Sequence, residues 1–141
     1  MIIAMPMLGP VLALIGWTLV MLVWTIVSVT KGAKTAKIKG KLPNSIRARD
    51  VEGMMDEKFS YPRRNYEHLV EQPTLFYALA LALALMGASG PIPVGLAWAY
   101  VVFRVWHSIA QATGRHRGPA FGLSSLSLLI LFVYAVVTYL G

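Results

Sequence analysis

The sequence predicts an all-α integral membrane protein built as a four-helix transmembrane bundle, and three observations carry that prediction. Of 141 residues, 57% are hydrophobic and only 13% charged, a balance that a water-soluble domain rarely shows. Residues 1–30, 72–103 and 118–141 contain no Asp, Glu, Lys or Arg. The middle tract is interrupted by "GASGPIPVG" at 87–95, whose Gly and Pro residues break a helix and force a tight antiparallel connection. A span needs about 20 apolar residues. The tracts therefore divide into one membrane domain, 1–141, with four spans at about 7–30, 64–88, 93–112 and 119–140.

Span 1 is apolar all round, with Trp17 and Trp24 inside it and Gly9-Pro10 near its start. A secretory signal would need a basic leader and a short apolar core. "MIIAMPMLGPVLALIGWTLVMLVWTIVSVT" has no Lys or Arg, and its apolar run is too long, so it reads as a retained span. The 31–62 loop is polar and basic, and its part "SIRARDVEGMMDEKFS" reads as a short surface helix. Ser60 is the expected N-cap of span 2, with Pro62 in the first turn. Span 4 carries Gly122, Ser124, Ser125 and Ser127, small residues that permit close helix contact.

The net charge of +7 is placed in a way that argues for membrane orientation and against nucleic acid. Lys31, Lys34, Lys37, Lys39, Lys41, Arg47, Arg49, Lys58, Arg63 and Arg64 lie between spans 1 and 2. Arg115 and Arg117 lie between spans 3 and 4, and the 2–3 turn has no basic residue. Basic loops are retained in the cytoplasm. Both loops are thus expected on the cytoplasmic side and both termini on the other. The lysine run has a second reading, contact with anionic membrane lipids, at about 1 kcal/mol per basic residue. With no cysteine, the chain has no disulfide, thiolate metal site or cysteine nucleophile, and no metal is expected.

Against this apolar background the polar residues of spans 2 and 3 stand out. Arg64, His68 and Glu71 are spaced four and three apart and share a helix face, with Asn65 and Glu67 beside them. Arg104, His107 and Gln111 share a face of span 3, which also carries Ser108. At about 1.5 Å per residue from the 2–3 turn, Glu71 comes out roughly 25 Å away, His107 roughly 22 Å and Arg104 roughly 18 Å. His68 and Gln111 come out roughly 30 and 28 Å away by the same rise. The polar groups of the two spans therefore match in depth. Ionisable groups in a membrane pair with one another, line a cavity, or do both. One reading is a buried Glu71–Arg104 ion pair that fixes helix packing, with the long arginine reaching along its helix. The other is a pocket for a zwitterionic ligand, which accounts for the surplus of donors. Phe76, Tyr77, Tyr100 and Trp106 read as packing residues.

At these residues the chain resembles the MAPEG superfamily, the membrane-associated proteins of eicosanoid and glutathione metabolism, in the form of its bacterial members. The resemblance rests on the four-span plan, the two basic loops, Glu71 and Pro73 in "EQPTLFYA", and Arg104 and His107 in "RVWHS". It implies a homotrimer that binds glutathione as co-substrate between subunits near the cytoplasmic side, at spans 2 and 3. By analogy Glu71 takes the ammonium of glutathione, Arg64 and Arg104 its carboxylates, and His107 positions the peptide. His68 falls where an asparagine is common, with Asn65 one turn away, and Gln111 replaces a frequent tyrosine. The catalytic arginine near the start of span 4 has no counterpart, since "GPAFGLSS" offers Phe121 and Gly122 there. A thiol needs a nearby cation or hydroxyl donor to ionise. Arg115, Arg117, Ser124 and Ser125 are the nearest candidates, out of register. Three functions follow from this: a glutathione-dependent transferase or peroxidase acting on a lipophilic electrophile, a non-catalytic lipid-binding or scaffold member, and a small proton-coupled transporter using Glu71. A transporter needs polar groups across the midplane, and spans 1 and 4 offer few.

Overall fold

A computed structural model describes residues 5–36 and 48–141, and these residues are entirely helical apart from turns. Helix α1 runs Leu8–Thr35, α2 Ala48–Glu52, α3 Tyr61–Glu71, α4 Pro73–Leu85, α5 Pro91–Ala112 and α6 Gly118–Leu140, with a 3₁₀ turn at Glu57–Phe59. Four stretches are long and apolar enough to cross a bilayer: Leu8–Thr35, Glu57–Leu85, Pro91–Ala112 and Gly118–Leu140. Of the surface helix expected in the 31–62 loop, α2 and the 3₁₀ turn are present. Ser45, Ile46 and Arg47 lie outside the described residues, as do Lys37, Lys39 and Lys41.

Helix α1 has 28 residues, or about 42 Å at the helical rise, which exceeds a hydrocarbon core of about 30 Å. Its last turns, with exposed Lys31 and Lys34, therefore extend past the apolar zone. There the α2–3₁₀ segment folds back onto the helix. Ser28 Oγ donates to the Phe59 carbonyl at 3.0 Å. Gly32 permits the approach: a Cβ there would lie 2.6 Å from Met55 Sδ and 2.8 Å from Phe59 Cβ. Arg63 then ties the segment to α3, with Nε 2.7 Å from Glu52 and Nη1 2.7 Å from Glu67.

Ser60 precedes α3 but does not cap it through its side chain. Its backbone is already helical (φ −89°, ψ −18°), and its buried hydroxyl makes no hydrogen bond of ordinary geometry among the described residues. A capping side chain needs the extended backbone that turns its oxygen toward the first free N–H groups. Span 2 is broken at Gln72–Pro73, where α3 gives way to α4. Pro73 has no N–H, so the carbonyl one turn earlier loses its donor. The break is braced by Thr74 Oγ1 on the Glu71 carbonyl at 2.7 Å and Arg104 Nη2 on the His68 carbonyl at 3.3 Å.

Helices α4 and α5 end in the same way. Gly87 and Gly114 adopt φ of 72° and 70°, the left-handed region that glycine enters without a Cβ clash. After each, paired reverse hydrogen bonds close the helix end, Ala88 N to Leu83 O and Gly87 N to Ala84 O in α4. Arg115 N to Ala110 O and Gly114 N to Gln111 O do the same for α5. Helix α5 is the centre of the bundle, packed on α6, α3 and α1. Phe76 and Tyr100 stack at 4.4 Å between α4 and α5. On α6, buried Ser124 and Ser127 return their hydroxyls to their own helix, at Phe121 O and Leu123 O, and leave a slim surface. Gly122 does not share in that contact; it is exposed with open space around its Cα.

Candidate functional site

The last two turns of α3 face the C-terminal end of α5. Between them lies a cavity of about 400 Å³ lined by residues of α3, the end of α5 and the α5–α6 turn, among them Arg64, Glu67, His68, Glu71 and Gln111. That size falls in the lower part of the usual small-molecule range. The three-and-four spacing of Arg64, His68 and Glu71 places all three on its wall. Tyr61, Gly114, Arg115 and Arg117 complete the lining.

The charges on this wall divide into committed and available groups. Arg64 Nη1 is 2.9 Å from Glu57, and Glu67 accepts from Arg63 at 2.7 Å. Glu71, with its side chain 69% exposed, has only His68 Nδ1 at 3.5 Å. The side chains of Arg115 and Arg117 are exposed and make no hydrogen bond or ion pair with any described residue. Two guanidinium groups and one carboxylate therefore stand open to the cavity.

The structure separates Glu71 from Arg104, so the ion pair that the depth arithmetic allowed is not formed. That arithmetic fixes height along a helix but not rotation about it. Glu71 turns outward, whereas Arg104 is 1% exposed and points into the bundle. There its guanidinium lies 5.9 Å from the Tyr100 ring. Its Nε and Nη1 are buried and, like the nearby Tyr100 hydroxyl, make no hydrogen bond of ordinary geometry among the described residues. His107 is likewise buried behind the wall, its ring 6.4 Å from that of His68 and 5.8 Å from Phe121. Phe121 thus occupies the start of α6 where a cation was sought, and Ser124 turns away from the cavity to its own helix.

Asn65 is fully buried and reaches the site through Gln111, whose Oε1 accepts from Asn65 Nδ2 at 3.1 Å. Ser108 and Trp17 extend this contact across the bundle, a role that the sequence reading did not assign. The available signal was an indole N–H in mid-span, which needs an acceptor when buried. Tyr61 and Gly114 were also missed; the turn after α5 brings Gly114 against the Tyr61 ring. A second groove of about 570 Å³, lined by Leu75, Leu79, Leu128 and Phe132 among others, runs between α4 and α6 and is almost wholly apolar. Gln72 Nε2 donates to Ser125 Oγ at 3.1 Å beside it. No group of three or more His, Asp and Glu placed to hold a metal ion occurs among the described residues.

No characterised protein and no solved structure gives a significant match to the chain. The profile of the MAPEG family matches residues 7–137, nearly the whole sequence. With its four helices able to cross a bilayer, the chain is an integral, multi-pass membrane protein and belongs to the MAPEG family of glutathione and eicosanoid metabolism.

Proposed function

We propose that the chain is a glutathione-dependent transferase or peroxidase acting on lipophilic electrophiles, with glutathione held in the cavity between α3 and α5. The observation that carries this reading is the charge left open on the cavity wall. Glutathione has two carboxylates and one ammonium; the wall offers Arg115 and Arg117 against Glu71. Glu71 takes the ammonium, Arg115 and Arg117 the carboxylates, with Arg64 and His68 at the rim. Arg104 and His107 support the wall from behind, and Arg104 adds a buried positive charge that favours an anion. The thiol proton leaves to water through the open mouth. The thiolate, held by the field of these cations, then attacks the electrophile as the carbon–sulfur bond forms and the leaving group departs. The apolar α4–α6 groove supplies the route by which a lipid-soluble substrate approaches from the bilayer.

A carboxylate as exposed as Glu71 inside a spanning helix is costly against lipid. Its exposure supports assembly into the homotrimer expected of the family, with a neighbouring subunit facing the cavity and the basic loops on the cytoplasmic side. One observation favours the second reading, a non-catalytic lipid-binding or scaffold member. Phe121 stands where a thiol-activating arginine was expected.

Calorimetric titration of the purified protein with glutathione, and with an analogue lacking the α-ammonium, tests the assignment. The parent should lose affinity for the analogue, whereas Glu71→Gln should bind both ligands equally weakly. If Glu71→Gln still discriminates between them, the ammonium is held elsewhere and the assignment is wrong.

A further inference from the structure

Three helices meet in a line of hydrogen bonds that starts far from the cavity and ends in it. Trp17 Nε1 on α1 lies 2.9 Å from Ser108 Oγ on α5. Ser108 Oγ in turn donates to Oδ1 of Asn65 on α3. Asn65 Nδ2 lies 3.1 Å from Gln111 Oε1. Ser108 and Asn65 are wholly buried, and Gln111, itself mostly buried, lines the cavity.

The chemistry of the first member sets the direction of the rest. An indole nitrogen only donates, while hydroxyl and amide groups can do either. Ser108 must accept from Trp17, which frees its own proton for Asn65 Oδ1. The amide nitrogen of Asn65 then faces Gln111 and requires an oxygen there. Gln111 has one end left, Nε2. Reversing the line would turn Asn65 Nδ2 onto Ser108 Oγ and divert the serine proton to a carbonyl of its own helix, in place of the bond that Ser108 now gives to Asn65 Oδ1.

We infer that Trp17 and Ser108 are positioning residues that hold the Gln111 amide with its N–H₂ toward the cavity, so that this point of the wall selects a hydrogen-bond-accepting group of the ligand. This rests on the glutathione reading and deepens it: the acceptor is a carboxylate or peptide oxygen, or the ionised sulfur, and an ammonium is rejected there.

The test uses the purified protein and glutathione as probe, with Trp17→Phe, Ser108→Ala and Gln111→Glu. Trp17→Phe removes the donor that sets the direction, so Gln111 presents oxygen as readily as nitrogen. Affinity should fall roughly three- to tenfold. The double variant Trp17→Phe/Ser108→Ala should fall no further than the weaker-binding single variant, because both act through one line. Gln111→Glu keeps an oxygen for Asn65 but presents only acceptors to the cavity, so it should fall at least as far. A rise in the pH midpoint of the thiolate absorbance in Trp17→Phe assigns the acceptor as sulfur; weaker binding at an unchanged midpoint assigns it as oxygen. Unchanged affinity and midpoint in Trp17→Phe overturn the proposal. If the parent binds no glutathione, that reading fails separately. The line is then decided by the Trp17 indole N–H resonance in ¹⁵N-tryptophan-labelled protein. Ser108→Ala must shift it, and an unmoved resonance overturns the line as well.

Discussion

Gly114→Ala should destabilise the protein and distort the mouth of the cavity together, because one backbone position serves both. At φ 70° the residue sits in the left-handed region, where a Cβ costs roughly 1–2 kcal/mol. That Cβ would lie 2.8 Å from Tyr61 Cε2, 3.4 Å from Cδ2 and 3.5 Å from Cζ, so the ring must also move. The lower conformational entropy of alanine in the unfolded chain returns about 0.4–1 kcal/mol, and overpacking against a ring costs about 1–3 kcal/mol. The net loss is about 1–5 kcal/mol from these ranges. Its sign is set because backbone strain and steric clash act in the same direction. Tyr61 itself lines the cavity, so glutathione binding should weaken as well. Thermal unfolding in detergent reads the first effect and calorimetry the second. The matched control is Gly95→Ala in α5, where a Cβ meets nothing within 4 Å. That change should be neutral or stabilising by up to about 1 kcal/mol. A Gly114→Ala protein that melts at or above the parent would refute the argument, since neither the conformation nor the Tyr61 contact would then be as described.

Other changes test other joints of the structure. Gly32→Ala gains helix propensity of about 1 kcal/mol but drives a methyl into Phe59 Cβ, which moves only with its backbone. The melting temperature should fall, and protease sensitivity between α1 and α3 should rise. Hydrogen bonding from Arg63, ahead of any other influence, holds the Glu52 carboxyl below its ordinary value. A depressed carboxylate contributes stability above its unfolded value, roughly pH 4.3, and loses it as pH falls through the lower folded value. Acid should therefore destabilise the parent in that window, and Glu52→Gln should flatten this part of its stability profile. Arg104→Leu strips the donor from the His68 carbonyl and the buried charge from behind the wall. Glutathione affinity should drop about tenfold or more, the scale of one charge-assisted hydrogen bond; an unchanged dissociation constant would remove Arg104 from the site.

The spans were legible because membrane solvation leaves a coarse trace. Long charge-free tracts, a Gly–Pro turn and clustered lysines mark where lipid ends and water begins. The face shared by Arg64, His68 and Glu71 was equally legible, since helical periodicity places them regardless of neighbours. Pairing was harder to read. Whether Glu71 meets Arg104 depends on the rotation of two helices about their axes, which is set by contacts such as the Phe76–Tyr100 stack. The Trp17–Ser108–Asn65–Gln111 line joins residues as far apart as 17 and 108, and no local pattern announces it. Ser60 misled for a different reason: it has the right residue type at the right place, but the preceding 3₁₀ turn delivers it already helical.

The most direct test of the central claim is ultraviolet difference absorbance as glutathione is added to the purified protein in detergent. The account predicts a saturating thiolate band that is lost in Glu71→Gln and diminished when Arg115 and Arg117 are replaced by alanine. No band, together with no heat of binding on the same sample, would contradict it and remove glutathione from the cavity. Binding without a band would leave the ligand in place and favour the non-catalytic member of the family.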